Sequence, residues 1–271
     1  MKLNKKPYIF VVGNEKGGAG KTTCSMHLIV GLLDKNYKVA SIDADSRQNS
    51  LTSYLNNRKT YNEKNISHAV DMPIHVHLHE IVNDSIDQKN KLEKEFFEKV
   101  INDAIDLAVD YIVIDTPGSY TNYSRIAHSY ADTVITPVND SFVDLDVMAK
   151  FNDEGNNIAH PSIYSQMLWE QKMEKASRDG TSINWIVLRN RLSNLNASNQ
   201  RNVSEALEKL AKRISFKIVP GFSERVIFRE LFPVGLTLID LKKANFNKSF
   251  SISHVAARQE LRNFLDSLGI K

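Results

Sequence analysis

One cysteine, Cys24, is all the thiol that this chain of 271 residues carries, so it can form no internal disulfide. A single thiol per subunit also falls short of the two that a cluster-bearing reductase would need, and its place in a helix-compatible stretch makes it a small buried packing residue. No run of about 18 apolar residues occurs, which excludes a membrane-spanning helix. Lys2, Lys5 and Lys6 lead directly into Pro7 and a short apolar stretch, unlike the long apolar region of a secretory signal. Neither sign of charge dominates: the net charge is +3 and the pI about 8.7, so any nucleic-acid surface must be local. The expectation is a soluble, cytoplasmic protein. A hydrophobic content of 42% suffices for one sizeable core, and residues 1–271 read as a single α/β domain.

Glycine is sparse, but three of the eleven fall within four positions, at Gly17, Gly18 and Gly20. They follow the apolar run 8–12 and precede the helix-compatible stretch 24–33, so the order is strand, glycine loop, helix. Such a loop lets the amides of Gly17, Gly18, Ala19, Gly20, Lys21, Thr22 and Thr23 converge on one point, and the helix adds the positive end of its dipole. A triphosphate belongs there. Lys21 reaches its β- and γ-phosphates, and the Thr22 hydroxyl coordinates the Mg²⁺ that bridges them. A nucleoside triphosphate and Mg²⁺ are the expected ligands.

The rest of the chain alternates in the same manner. Residues 37–45 hold a short buried strand ending in Asp43-Ala44-Asp45, where parallel sheets place their ligand crevice. Leu92, Phe96, Val100, Ala104 and Ala108 recur every four residues, with Phe97, Ile101 and Ile105 widening an amphipathic stripe. That helix hands over to the apolar strand 111–114 and Asp115-Thr116-Pro117-Gly118. Asp115 is expected in the Mg²⁺ shell, and the Gly118 amide can approach a γ-phosphate because no side chain intervenes. Further strands fall at 132–138, 183–188 and 216–219, with helical patterns over 160–180 and 195–212. The fold class is α/β, a mostly parallel, doubly wound sheet of the P-loop nucleoside-triphosphatase type.

Two stretches stay open. Residues 56–90 are polar and weakly periodic and read as the variable part of the chain. If 75–79 is a strand, His75, His77 and His79 share a face, either as metal ligands or as a polar sheet edge. The C-terminal pattern Ala257, Leu261, Phe264, Leu265 and Leu268 makes an amphipathic helix at about 254–269. Its polar face mixes Arg258, Arg262 and Lys271 with Glu260 and Asp266, which favours packing on the domain over a membrane surface.

A second lysine opens the loop, in Lys16-Gly-Gly-Ala-Gly-Lys21-Thr22, where an ordinary phosphate loop demands nothing. This resembles the deviant Walker A box of the ParA/MinD ATPases. Within them, Asn14-Glu15-Lys16, Asp115-Thr-Pro-Gly118, Thr136-Pro-Val-Asn-Asp-Ser-Phe-Val-Asp144, Leu188-Arg-Asn-Arg-Leu192, Arg229-Glu-Leu-Phe-Pro-Val-Gly-Leu-Thr-Leu238 and Ala256-Ala-Arg-Gln-Glu-Leu-Arg262 resemble the MipZ family of division-plane-positioning ATPases, from about 8 to 269. Ser46-Arg47-Gln48 is also similar to that family. The resemblance implies that Lys16 crosses a dimer interface to the nucleotide of the other subunit. It implies further that Asp45 orients the attacking water, with Asp43 in a supporting Mg²⁺ or hydrogen-bonding role, and that Asn190 and the Pro220 loop contact the adenine, so the bound nucleotide is ATP.

It also implies a homodimer formed on ATP, nonspecific DNA binding by that dimer, loading by ParB near chromosome origins, and inhibition of FtsZ polymerisation near the poles. The family's arginine-rich DNA stretches here retain Arg201 and Arg225. Between 186 and 229 lie nine basic residues and three acids, the segregation a phosphate-binding face needs, although several can pair along their own helix. A ParA-like partitioning ATPase is the alternative, and the Ser-Phe-Val-Asp and Arg-Glu-Leu-Phe-Pro stretches count against it.

Overall fold

A computed structural model of the chain describes residues 6–139, 141–151, 158–192, 197–244 and 252–270. Lys2, Lys5, Asp140, Leu195 and Lys271, which entered the sequence reading, lie outside the described residues. The first half runs β1 (Tyr8–Val12), α1 (Lys21–Asp34), β2 (Val39–Asp43), α2 (Ser50–Lys64), β3 (Ile74–His77), α3 (Ile86–Asp106), β4 (Tyr111–Asp115), α4 (Asn122–Tyr130) and β5 (Thr133–Asn139). The second half runs α5 (Phe142–Leu145), β6 (Ala149–Phe151), β7 (Ile158–Pro161), α6 (Ile163–Asp179), β8 (Asn184–Leu192), α7 (Ala197–Ile214), β9 (Lys217–Ser223), α8 (Val226–Leu231) and α9 (Ile252–Ser267). Seven strands make one parallel sheet in the order β3-β2-β4-β1-β5-β8-β9, and β6 and β7 form a separate antiparallel pair.

The central strands are apolar at consecutive positions because both sheet faces are covered. Ile9, Val11, Ile112, Ile114, Val134 and Val187 point into a core closed by α3, α4, α6 and α7. Their neighbours Phe10, Val12, Val113, Ile135 and Ile186 point the other way, into a core closed by α1, α2, α8 and α9. In α9, Ala257, Leu261, Phe264 and Leu265 are buried in that second core. Among the described residues no helix is long and apolar enough to cross a membrane.

The α3 stripe departs from the every-fourth-residue pattern at its two ends. Phe97, Val100, Ile101 and Ala104 are buried, whereas Leu92 is 41% exposed and Ala108 lies past the helix end at a φ of 51°. Glu93 takes the inward place of Leu92 because its carboxylate accepts from Asn122 Nδ2 at 2.8 Å. Nor is 56–90 a loose insert. Arg58 on α2 is fully buried, paired through both terminal nitrogens with the two Asp240 oxygens at 2.7 Å, and donates to the Asp71 and Gly235 carbonyls. The histidines divide within this segment. The His75 ring bonds Ser41 Oγ at 2.9 Å and Thr52 Oγ1 at 3.0 Å, while His79 lies beyond β3 with its ring against Phe96.

Candidate functional site

The loop between β1 and α1 is held open from beneath. Asn14 Nδ2 donates to the Pro137 carbonyl on β5, the Gly13 amide donates to Ile135 O, and Tyr164 Oη donates to Gly13 O at 2.9 Å. Gly20 caps α1 at a φ of 88°, and a Cβ there would stand 2.2 Å from Asn190 Nδ2, which donates to the Ala19 carbonyl. Any other residue at 20 would strain the backbone and displace Asn190. Lys21 Nζ lies across the loop, donating to Lys16 O at 3.0 Å. Burial lowers the Lys21 pKa, and Asp115 and Asp45 work against that shift, so the ammonium faces two carboxylates.

Asp115, at the end of β4, accepts from Thr22 Oγ1 at 2.7 Å and from Ser25 Oγ at 2.8 Å. Burial pushes its carboxyl up to about 7, with the nearby Asp43 adding to the rise and the Thr22 and Ser25 hydrogen bonds and Lys21 opposing it. A hard divalent cation suits such a corner: a buried carboxylate and a hydroxyl, both oxygen donors, beside a cleft of about 470 Å³. That cleft is lined by the glycine loop, Lys21, Thr22, Thr23, Asp45, Arg47, Asp115, Gly118 and Arg191. Across it, a Cβ on Gly118 would sit 3.3 Å from both the Gly17 amide nitrogen and Lys21 Nζ, so glycine lets β4's loop close on the cradle. Among the described residues no group of three or more His, Cys, Asp or Glu side chains could hold a metal ion.

The two acids after β2 have separate surroundings. Asp45 lines the cleft and caps the next turn, accepting from the Arg47 and Gln48 amides. Asp43 does not line it. One of its oxygens accepts from the Asp45 amide and the other from the Thr52 amide and hydroxyl, so it is a buried anchor for the β2–α2 turn, without the cleft-facing oxygen of a metal ligand.

Beside Gly20 opens a second cleft of about 330 Å³, lined by Thr23, Asn190, Arg191, Phe222, Arg225, Phe228 and Phe232 among others. Its flat apolar walls next to the phosphate loop suit a purine. Asn190, expected at the adenine, is among its lining residues. Pro220 is not: β9 continues past it, Pro220 is exposed, and the wall begins at Phe222. Arg225 is likewise no exposed cation, being only 17% exposed and paired with Glu260 at 2.6 Å. Arg201 is exposed on α7. Lys16 Nζ is bound within its own chain, 2.9 Å from Asp144 Oδ1. The sequence reading passed over Arg191, Phe228 and Phe232 as cleft walls. A positive φ of 52° at Arg191, which turns it into both clefts, carries no sequence signal.

A parallel sheet with this loop after its central strand, a Thr22–Asp115 corner and an acid-bearing turn after β2 define a P-loop nucleoside-triphosphatase of the ParA/MinD type. Within that class the chain belongs to the family ATPase MipZ, matched over residues 8–271. It is also 30% identical over 164 residues to the septum site-determining protein MinD of Helicobacter pylori, covering 56% of this chain and 61% of that relative. The chain thus spans about three fifths of that relative's length. A point variant of Cyanothece McdA in complex with ATP superposes with a TM-score of 0.62 at 18% identity, covering 98% of both chains. MinD of Pyrococcus horikoshii complexed with Mg-ADP gives 0.57 at 17% identity, covering 97% of both. These two structures share the fold.

Proposed function

We propose that this protein is an ATP-switched, dimerising ATPase that positions the cell-division site by restricting where FtsZ polymerises, in step with ParB and chromosomal DNA. Lys16 carries the reading: in a MipZ-family chain with an intact phosphate cradle, a second lysine stands at the outer rim of the loop, its ammonium held by Asp144 and not by its own Asp115 corner. In this account Lys16 leaves Asp144 and completes the nucleotide site of a second copy, so that ATP links the two subunits.

The chain's own groups divide the work. Loop amides and Lys21 hold the β- and γ-phosphates, and the cleft beside Asn190 and Phe222 holds the base. Mg²⁺, kept by Thr22 and Asp115, supplies neutralisation of the phosphate charge. Asp45 orients the attacking water, and its carboxylate faces the cleft with one oxygen engaged by backbone amides. Slow hydrolysis makes the cycle a switch. Arg201 contributes to nonspecific DNA binding by the dimer, and the protein gathers at nucleoid or pole through these partners.

Sedimentation of FtsZ with GTP tests the reading. ATP-bound protein lowers the amount of FtsZ pelleted, and ADP-bound protein does not. A protein that dimerises on ATP yet leaves FtsZ unchanged overturns the division-site role and leaves ParA-like partitioning in its place.

A further inference from the structure

Between α6 and the end of α7 lies a cleft of about 750 Å³, larger than either nucleotide cleft and sharing no lining residue with them. Trp185, near the start of β8, is buried in it, and Trp169 stands at its rim, 63% exposed. Met173, one helical turn beyond Trp169 and 54% exposed, extends the apolar strip outside the cleft. Exposed large apolar side chains continuous with a cavity mark an interaction surface. Among the described residues the charged side chains of the lining are Lys172 and Arg213, and it includes no carboxylate. Lys172 Nζ lies 5.8 Å from the centre of the Trp185 ring, and burial lowers its pKa, so an incoming anion would find a cation that water serves poorly. Glu170 on α6, outside the lining, accepts from Gln166 Nε2 at 3.4 Å.

The floor of the cleft is wired to the phosphate loop. Trp185 Nε1 donates to Thr136 Oγ1 at 3.0 Å, Thr136 Oγ1 lies 3.0 Å from Tyr164 Oη, and Tyr164 Oη donates to the Gly13 carbonyl at 2.9 Å. Tyr164 Oη also lies 3.3 Å from His128 Nε2; with its proton on the shorter contact to Gly13 O, it accepts from Thr136, which in turn accepts from Trp185. Thr136 and Tyr164 are buried, so neither has water to replace a lost partner. Moving the Trp185 indole would leave Thr136 short of a donor and loosen the support of Gly13.

We propose that this cleft docks an acidic segment of a partner protein carrying an aromatic or aliphatic anchor, and that its occupancy reaches the nucleotide loop through Trp185, Thr136, Tyr164 and Gly13. The anchor stacks in the cleft against Trp169 and Trp185, and its flanking carboxylates meet Lys172 and Arg213. A peptide, unlike a small anion, also covers the strip out to Met173. The docking stands on the cleft alone, whereas the coupling rests on reading the loop as a nucleotide site.

The chain has two tryptophans, and both belong to this cleft, so intrinsic fluorescence reads it directly. Titration of the full chain with a synthetic peptide of alternating Glu, Asp, Phe and Leu should change the tryptophan emission saturably. Peptides with lysine for the acids, or alanine for Phe and Leu, should not. Joint Lys172→Gln and Arg213→Gln should weaken binding about tenfold or more, since hydrogen bonds to charged groups are lost. Equal binding of the lysine peptide, or displacement of the acidic peptide by a single-stranded oligonucleotide, overturns the acidic-protein assignment. No saturable change with any peptide overturns the docking site.

For the coupling, the acidic peptide should shift the affinity for a fluorescent ATP analogue about fivefold, and the analogue should shift peptide affinity by the same factor. Trp185→Phe keeps an aromatic ring but removes the indole N–H; peptide, still met by Trp169, Lys172 and Arg213, should bind more weakly, read through Trp169, and at saturation should no longer shift the analogue's affinity. Tyr164→Phe cuts the same chain and should lose it too. A shift that survives both changes overturns the route. A chain that binds no nucleotide would refute the loop reading, while the emission titration still decides the docking site.

Discussion

Replacing Asp144 by asparagine removes the charge that holds Lys16 at 2.9 Å while keeping the side chain's shape and its contact with Ser141 Oγ. If Lys16 must leave Asp144 to reach a second subunit, the pair opposes dimerisation. Lys16 is a third exposed and Asp144 mostly buried, so the pair is worth about 1 kcal/mol, the upper end for solvent-accessible ion pairs. Two pairs break per dimer. The dimer of Asp144→Asn should therefore be tighter by about 2 kcal/mol, roughly 30-fold in dissociation constant. Sedimentation velocity over a concentration series, with Mg²⁺ and a non-hydrolysable ATP analogue, measures this. Nucleotide affinity of the monomer should stay as in the parent. A dimer no tighter than the parent's would refute the competition between Asp144 and the second subunit.

Asp115 gives a pH signature. Its folded pKa, about 7, lies above the ordinary 3.8, so the stability it contributes is complete below 3.8 and is lost as pH rises through 7. Without nucleotide or Mg²⁺, Asp115→Asn should gain Tm over the parent between pH 5 and pH 8; a constant difference would show the carboxyl to be ionised throughout. Arg58→Ala leaves Asp240 buried and unpaired and should destabilise by about 3–5 kcal/mol in urea unfolding, against less than about 1 if water reaches the site. For DNA, Arg201→Ala should reduce the salt slope of binding by up to about two units per dimer, one for each arginine, whereas Arg225→Ala, already paired with Glu260, should leave it unchanged. The reverse order would move the DNA face to the α9 side.

The phosphate loop, the Thr22–Asp115 corner and the parallel sheet were legible because each is local: glycines at fixed offsets, apolar runs of strand length, an acid at a strand's end. What escaped depends on contacts between distant residues. Arg58 looks like one more polar residue in a polar stretch, and only Asp240, 182 positions away, makes it part of the core. Spacing alone does not separate Asp43 from Asp45, and only the resemblance gave them different roles; in the fold the Thr52 hydroxyl and amide claim Asp43 and leave Asp45 at the cleft. Counting charges found Arg225 but not its partner Glu260 on α9. In α3 the expected Phe97, Val100, Ile101 and Ala104 are buried, and only the start of the stripe departs, because Glu93 has an amide waiting for it and turns inward beside an exposed Leu92.

In the proposed cycle Lys16 serves the neighbouring subunit's nucleotide and not its own. Light scattering of Lys16→Ala with ATP and Mg²⁺, alongside nucleotide affinity of the same protein, measures it most directly. ATP should bind as in the parent while the protein stays monomeric at concentrations where the parent is dimeric; an ATP-dependent dimer of Lys16→Ala would rule out the cross-subunit role.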